Sequence, residues 1–470
     1  MQSTMWSFKG LGNAVAAIAD NGEQITYAQL AEFEEQLRAS VGRALVFNLC
    51  TNSIGSLAGY AAMINTHIVP VMIAAELDKS LLAELIEEYL PQYLWVPAES
   101  KPSYVNSKEV FSSYGYSLLS TGYKACELYD ELALLLTTSG STGSFKLVRQ
   151  SYQNIKANTE SIVEYLHLDA TERPITTLPM NYTYGLSIIN THLYVGATIL
   201  LTDKTLAQRE FWNFFKEQKA TSFGGVPYTY EILKKLRFFR MDLPSLRYMT
   251  QAGGKLMPEL HKEFAEDSIS KGRDFIIMYG QTEATARMAY LPAEKSLEKY
   301  GSMGIAIPGG RFELIDVNGE LITEPDVVGE LVYYGANVTL GYSECIEDLK
   351  KGDERDGKLV TGDMAKMDAD GFFYIVGRKK RFLKMFGKRV NLDEIDRLMK
   401  AQYDNIDCAS DGVDDSLYLF LTDKNLLEEA RKYISDKINI NISAVHSVFV
   451  AAIPKNDSGK TLYSELKKLF

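Results

Sequence analysis

From residue 44 onward the chain alternates short apolar runs with longer amphipathic ones, and this alternation limits the fold more than any other feature. Residues 44–50 and 69–73 read as buried strands, with a small-residue helix at 55–65 between them. A helix at 80–90 and a strand at 93–96 follow. Parallel strands need a crossover between them, and helices supply it, so the pattern predicts α/β layers. The rhythm continues through 215–225, a helix at 228–236 after Pro227, and a strand at 275–278. From about Gly319 to Tyr374 the character changes. Short strands at 311–316, 329–334 and 372–376, divided by Gly and Asp turns, predict a β-rich subdomain over about 305–377. Beyond Arg378, a strand at 417–421, a helix at 426–436 and a strand at 445–452 predict a compact α+β segment. The expected organisation is a large α/β domain, 1–377, followed by a small C-terminal domain, 378–470.

Within the first domain, Leu134-Leu135-Leu136 lead into Thr137-Thr138-Ser139-Gly140-Ser141-Thr142-Gly143-Ser144-Phe145-Lys146. Gly140 and Gly143 allow tight turns and close approach of backbone to a ligand. Hydroxyls and bare N–H groups suit phosphate oxygens, and Lys146 adds a positive charge. The spacing is not that of a Walker loop, because two residues separate the glycines and Leu147 follows the lysine. Leu147, Val148 and Arg149 continue as a strand before Ser151 caps a helix carrying Ile155, Ile162, Val163 and Leu166 on one face. The loop is therefore expected to join two strands.

This hydroxyl-rich loop ending in lysine resembles the signature of the adenylate-forming superfamily, which includes acyl- and aryl-CoA ligases, peptide-synthetase adenylation domains and beetle luciferases. Further segments resemble the other motifs of that family, in the same order. Asn181-Tyr182-Thr183-Tyr184-Gly185 is similar to the acyl-pocket segment, and Ala252-Gly253-Gly254-Lys255 to the stretch flanking adenine. Met278-Tyr279-Gly280-Gln281-Thr282-Glu283 resembles the aromatic-Gly-x-Thr-Glu block, and Thr361-Gly362-Asp363 the ribose-binding aspartate motif. Gly377-Arg378-Lys379-Lys380 looks like the inter-domain junction. Lys384-Met385-Phe386-Gly387 follows, and Asn456-Asp457-Ser458-Gly459-Lys460 carries the C-terminal lysine.

The resemblance implies an enzyme that uses ATP and Mg²⁺ to convert a carboxylate to an acyl-adenylate, releasing pyrophosphate, and then passes the acyl group to a thiol. That thiol is CoA or the phosphopantetheine of a separate carrier protein. Thr138, Ser139, Gly140, Ser141, Thr142, Gly143 and Lys146 would face the phosphates. Gly253, Gly254, Lys255, Tyr279, Gly280, Gln281 and Asp363 would face the nucleoside, and Arg378 its ribose or the phosphates. Tyr182, Thr183, Tyr184, Gly185 and Val226 would line the acid pocket. Tyr279 offers a face for adenine stacking, worth roughly 1–3 kcal/mol per base. Asp363 can accept from both ribose hydroxyls through charge-assisted bonds, and Arg378 is a fork-shaped donor. Thr282 can donate to the α-phosphate, while Glu283 is an oxygen ligand suited to Mg²⁺. The resemblance further implies a C-terminal lid hinged at Lys380, with Lys460 presented for adenylation and Lys384 for acyl transfer.

Net charge and cysteines set outer bounds. A charge of −11 argues against broad nucleic-acid or anionic-membrane binding. Cys50, Cys126, Cys345 and Cys408 are scattered without a C-x-x-C, which suggests neither a zinc site nor a disulfide framework. No apolar run approaches ~20 residues, so no membrane span is expected, and a cytoplasmic enzyme fits. Asp415-Ser416-Leu417 mimics a carrier-protein serine motif, but that serine should open a helix and here runs into a strand-like segment.

Several positions depart from the family. Phe145 stands where proline is usual, and Tyr182 where many CoA ligases carry histidine. The segment 181–184 offers no carboxylate for an α-ammonium, which favours an aryl or modest acyl acid over an α-amino acid. Arg287 is either a surface charge or a polar handle near the substrate. Two other functions remain open at this level: adenylation with transfer to an amine or hydroxyl, and a non-catalytic nucleotide-binding homologue. The intact Lys146, Thr282, Glu283, Asp363, Arg378 and Lys460 set speaks against the second.

Overall fold

The computed structural model describes residues 4–100, 107–137, 146–386, 388–403, 406–455 and 461–470. Its first sheet has eight strands, with Leu132–Thr137, Val69–Ala74, Leu45–Cys50 and Tyr93–Pro97 as a parallel centre. Leu45, Phe47 and Leu49 face one hydrophobic cluster and Val46 and Cys50 another, as the two-residue period of a strand requires. The helix Lys79–Tyr89 covers the first face through Leu82, Leu85 and Ile86. The helix Ile54–Asn65, every residue of which is buried, covers the second. Covering both faces is what a parallel sheet demands.

The sheet is not purely parallel, as the alternation suggested. Antiparallel hairpins finish both edges. On one side Lys108–Ser113 pairs with Tyr116–Ser120 across Tyr114 and Gly115, both at positive φ (49° and 73°), the geometry that suits a two-residue hairpin. On the other, Leu132–Thr137 pairs antiparallel with Leu147–Ser151, so the hydroxyl-rich segment does join two strands. Ser151 caps the helix Tyr152–Leu166 through a capping box with Asn154. Gly341–Ser343, far along the chain, then pairs with Leu147–Ser151 and closes that edge.

A second sheet carries Ser222–Gly225, Tyr248–Gln251 and Asp274–Tyr279 in parallel. The helix Thr183–Val195 contributes Leu186, Ile189 and Leu193 to the core shared with the first sheet. On its other side Tyr184 and Ile188 pack with Tyr248, Ile276 and Met278 of the second. A third, antiparallel sheet runs in the order Leu321–Ile322, Arg311–Ile315, Gly329–Tyr334, Lys358–Met367, Phe373–Arg378. The ten-residue strand Lys358–Met367 has no clean alternation of buried and exposed residues, which is why its sequence does not announce it.

A separate core is drawn wholly from residues 383–466. It contains the hairpin Phe382–Met385 with Lys388–Asn391 and the sheet Cys408–Val413, Ser416–Leu421, Val445–Phe449. Ser416 opens a strand, so the carrier-like serine motif has the wrong context. Arg381 ties this unit together. Its guanidinium donates to Asp393 Oδ1 at 2.5 Å, Asp396 Oδ2 at 2.8 Å and the Ser410 carbonyl at 3.2 Å. Tyr463 lies 3.8 Å from it, ring centroid to Cζ. Removing one partner of a buried ion pair strands the other charge. Arg381→Ala should therefore destabilise the C-terminal unit by roughly 3 kcal/mol, seen as faster hydrogen exchange over residues 392–421 while the first sheet keeps its protection.

Candidate active site

The three parallel strands of the second sheet end side by side, and open α/β sheets bind ligands at their carboxyl ends. Val226 follows the first strand, Ala252-Gly253-Gly254 the second, and Gly280 the third. Gly253 has φ +82°, and a Cβ there would meet the Tyr182 hydroxyl at 2.6 Å and Val226 Cγ1 at 3.1 Å. The residues expected beside the acid and those expected beside the adenine thus share one wall. Burial is the main reason the Tyr182 phenol is pushed up to about 12.

Asp363, on the third sheet, reaches the same place. Its Oδ2 accepts from the Tyr279 hydroxyl at 2.6 Å and Gln281 Nε2 at 2.9 Å. Gln281 also donates to the Thr361 carbonyl at 3.1 Å. Arg378, the cross-strand partner of Asp363, brings Nε to 3.3 Å from Oδ1. Asp363 is 4% exposed, and burial raises its pKa above the usual aspartate value despite Arg378 pulling it down. Two hydrogen bonds thus fill one carboxylate oxygen and leave the other beside an exposed guanidinium.

Thr282 opens the short 3₁₀ turn Thr282–Ala284, which carries Glu283. A Cβ on Gly280 would overlap the Ala286 carbonyl, so only glycine lets this segment fold back on its own strand. Thr285 closes the turn at φ +66°, a conformation that costs energy in a β-branched residue. Its carbonyl accepts from Thr183, and its hydroxyl donates to the Asn337 carbonyl at 2.7 Å. Asn337 Nδ2 donates to the carbonyls of Ala284 at 2.9 Å and Arg287 at 3.0 Å. Glu283 Oε1 accepts from the Tyr342 hydroxyl at 2.7 Å, and its carbonyl from Arg355 Nη1 at 3.1 Å. Lys146 stands nearby, 2.5 Å from Glu344 and with its ammonium 5.9 Å from the Tyr342 ring centroid. Asn337, Tyr342 and Arg355 carry no motif of their own. They arrive through the pairing of Gly341–Ser343 with Leu147–Ser151, which sequence spacing cannot reveal.

Other expected residues lie elsewhere. Lys255 turns its ammonium to the Ile375 carbonyl at 2.7 Å, beside the C-terminal unit, instead of toward Asp363. Gly185 packs under the Pro179 carbonyl, where a side chain would overlap it, so it shapes the helix start and offers a ligand nothing. The Thr183 hydroxyl is taken by the Thr285 carbonyl, and that of Tyr184 by Thr250. Lys384 is exposed on the C-terminal hairpin, with its backbone bonded to Asp414 and Asp415, and is not brought to Asp363 or Glu283. Thr138, Ser139, Gly140, Ser141, Thr142, Gly143 and Lys460 lie outside the described residues. Arg287 is no surface charge, being 2% exposed.

Residues 6–343 match the family model described as AMP-binding enzyme. The chain belongs to that family. It is 30% identical over 366 residues to the peroxisomal OPC-8:0-CoA ligase 1 of Arabidopsis thaliana, an alignment covering 72% of this chain and 64% of the relative. It is 27% identical over 421 residues to a probable CoA ligase, CCL5, of Humulus lupulus, covering 83% and 73%. In fold it resembles the O-succinylbenzoate coenzyme A synthetase of Bacillus subtilis in complex with AMP. The TM-score is 0.80 at 21% identity, with 98% of this chain and 96% of that one covered. The ATP-bound MatB of Rhodopseudomonas palustris gives 0.78 at 20% identity, with 99% of each chain covered. Among the described residues no helix is long and apolar enough to cross a membrane.

The burial of Asp363 has a measurable sign. A carboxyl whose folded pKa is raised costs stability once pH exceeds its unfolded value, and the cost is complete above the folded pKa. Asp363→Asn should therefore melt no lower than the parent protein at pH 7, and any gain should vanish as the pH falls toward 4. Thermal unfolding across that range checks it. A lower melting point at pH 7 that recovers in acid would reverse the assignment.

Proposed function

We propose that this chain is an ATP-dependent, AMP-forming acid–thiol ligase. The observation carrying this reading is the clamp of Tyr279, Gln281 and Arg378 around Asp363, set beside Glu283 and the loop-end Lys146. Tyr279 and Asp363 suit a nucleoside, with the Arg378 side of the carboxylate left for the ribose hydroxyls. Lys146 suits the phosphates. Glu283 would hold Mg²⁺ together with phosphate oxygens, since magnesium commonly takes one or two carboxylates plus its substrate's phosphates. The bound ion would supply charge neutralisation at the β- and γ-phosphates.

In the first half-reaction a carboxylate oxygen forms a bond to the α-phosphorus as the bond to the bridging oxygen breaks. The acyl-adenylate stays and pyrophosphate leaves. In the second, a thiolate attacks the acyl carbonyl, AMP departs with the C–O electron pair, and the thiol proton passes to solvent. Both meetings bring anions together, so positioning and charge stabilisation dominate. The relatives' names as CoA ligases favour CoA as the thiol, and a carrier-protein phosphopantetheine would present the same chemistry. We place the reaction in the cytoplasm, where ATP and CoA are both supplied.

We assign the hinge to Lys380. Lys379 donates to Glu330 of the third sheet at 2.7 Å, whereas Arg381 grips Asp393 and Asp396 of the C-terminal unit. The side chains on either side of Lys380 are thus moored to different bodies, and the backbone between them is where a rotation costs least. Lys455 sets its ammonium 5.1 Å from the ring centroid of Tyr228, two residues past Val226. This contact supports Lys460, five residues further on, as the lysine offered during adenylation while Lys384 waits outside.

At ~4 Å a unit charge is worth about 4 kcal/mol at an effective dielectric of 20. Lys460→Ala should accordingly slow pyrophosphate exchange several hundredfold or more, yet leave transfer from supplied acyl-adenylate to CoA near the parent rate. Equal losses in both half-reactions would contradict two lysines acting in turn. An intact protein that never releases AMP from ATP with a broad panel of organic acids would defeat the whole reading.

A further inference from the structure

Beneath the wall of Tyr182 and Gly253 the protein buries a cation that no carboxylate among the described residues pairs with. Arg287 follows Glu283 by four residues, and the folded-back turn carries it inward to 2% exposure. A guanidinium has five N–H donors. Here they meet only neutral acceptors: Ser187 Oγ at 3.0 and 3.3 Å, the Tyr165 hydroxyl at 3.3 Å and Met278 Sδ at 2.6 Å. The Tyr184 ring lies 4.7 Å from its Cζ. Among the described residues no carboxylate pairs with it. Glu172 is held by Arg247 at 2.8 Å and Thr221 at 2.6 Å. His192 lies alongside, its pKa lowered to about 4 chiefly by burial, and so is uncharged at neutral pH. Arg149, also buried, shows the usual arrangement, in which Glu354 and four backbone carbonyls receive it.

A buried charge is expensive unless paired, and Arg287 opens on a cavity. That small cavity is lined by Arg287 with Ile188, His192, Phe223, Tyr248 and Thr250. Gly224 lines it too, one residue before the end of the strand that leads into Val226. Gly224 stands two residues before Val226, so the cavity adjoins the wall that the acid is proposed to follow.

We propose that Arg287 receives a second anionic group on the substrate, making the preferred acid a dianion with a carboxylate at its far end. The inference rests on the ligase reading and names its substrate class. The near carboxylate reacts at the phosphorus, and the far one forms a bidentate pair with the guanidinium, which planar acids suit. Uncharged carbon would lie between the two. Monoacids of equal length would leave the cation stranded, so the protein selects against them without any steric barrier.

The test uses the full-length protein with matched mono- and dicarboxylic acids, straight-chain and aromatic. Pyrophosphate exchange should favour the diacid over its monoacid partner by at least tenfold in kcat/KM. Arg287→Met should abolish that preference by raising KM for the diacid, with the monoacid little changed, and Arg287→Lys should keep part of it. A parent enzyme that prefers monoacids, or an unchanged preference in Arg287→Met, overturns the proposal and leaves the ligase reading standing. If no acid supports exchange, the ligase reading fails, and thermal shift by the diacids with AMP present decides the site separately. Diacids should then raise the melting temperature of the parent and not of Arg287→Met, and equal shifts in both would overturn it. A Met variant that melts lower while keeping acid selectivity would mark Arg287 as structural only. The ATP-induced shift, retained in both variants, reports that they fold.

Discussion

Everything at this site depends on one carboxylate held where two sheets meet. Asp363 stands on the antiparallel sheet, and the groups that fix one of its oxygens, Tyr279 and Gln281, stand at the end of a parallel strand of another. Burial makes that carboxyl reluctant to ionise, and the charge of Arg378 together with the hydrogen bonds from Tyr279 and Gln281 makes ionisation tolerable. The balance leaves an acceptor of known orientation, because one oxygen is held by two donors while the other faces Arg378. Orientation of this kind is what a short side chain provides when its surroundings, and not its own rotamers, determine where it points.

The same economy governs the turn that follows. Thr285 is held at positive φ by Thr183 and Asn337, two residues far from it in sequence. The strain is local and the restraint is distributed, so the turn cannot relax alone. Glu283 and Arg287 lie on either side of Thr285, and the sharp reversal sends one toward Tyr342 and the other into the protein interior. A regular helix or strand could not point residues four apart to such different environments.

Much of this was legible in the chain. The alternation of strands and helices identified the α/β layers, and the ordered motifs placed Asp363, Tyr279, Gln281 and Glu283 in one neighbourhood. What stayed hidden was of two kinds. Strand partners at the sheet edges, such as Gly341–Ser343 beside Leu147–Ser151, depend on long-range pairing that no local period encodes. That pairing is what brings Tyr342, Asn337 and Arg355 to the turn. Side-chain direction was hidden as well. Lys255 sits inside a nucleotide motif yet points to Ile375, and Arg287 carries a charge that hydropathy would put in solvent. In both cases the backbone path decided, and a one-dimensional string does not contain it.

The edge closed by Gly341–Ser343 has a consequence for how the chain is made. Leu147–Ser151 is buried along its whole length, and its partner is translated about 190 residues later. At roughly 5–20 residues per second, a ribosome needs on the order of ten to forty seconds to cover that gap. During this interval one edge of that strand waits without its neighbour, the condition that invites pairing with other chains. Synthesis of this protein thus contains a vulnerable period set by topology, ending when one three-residue strand emerges.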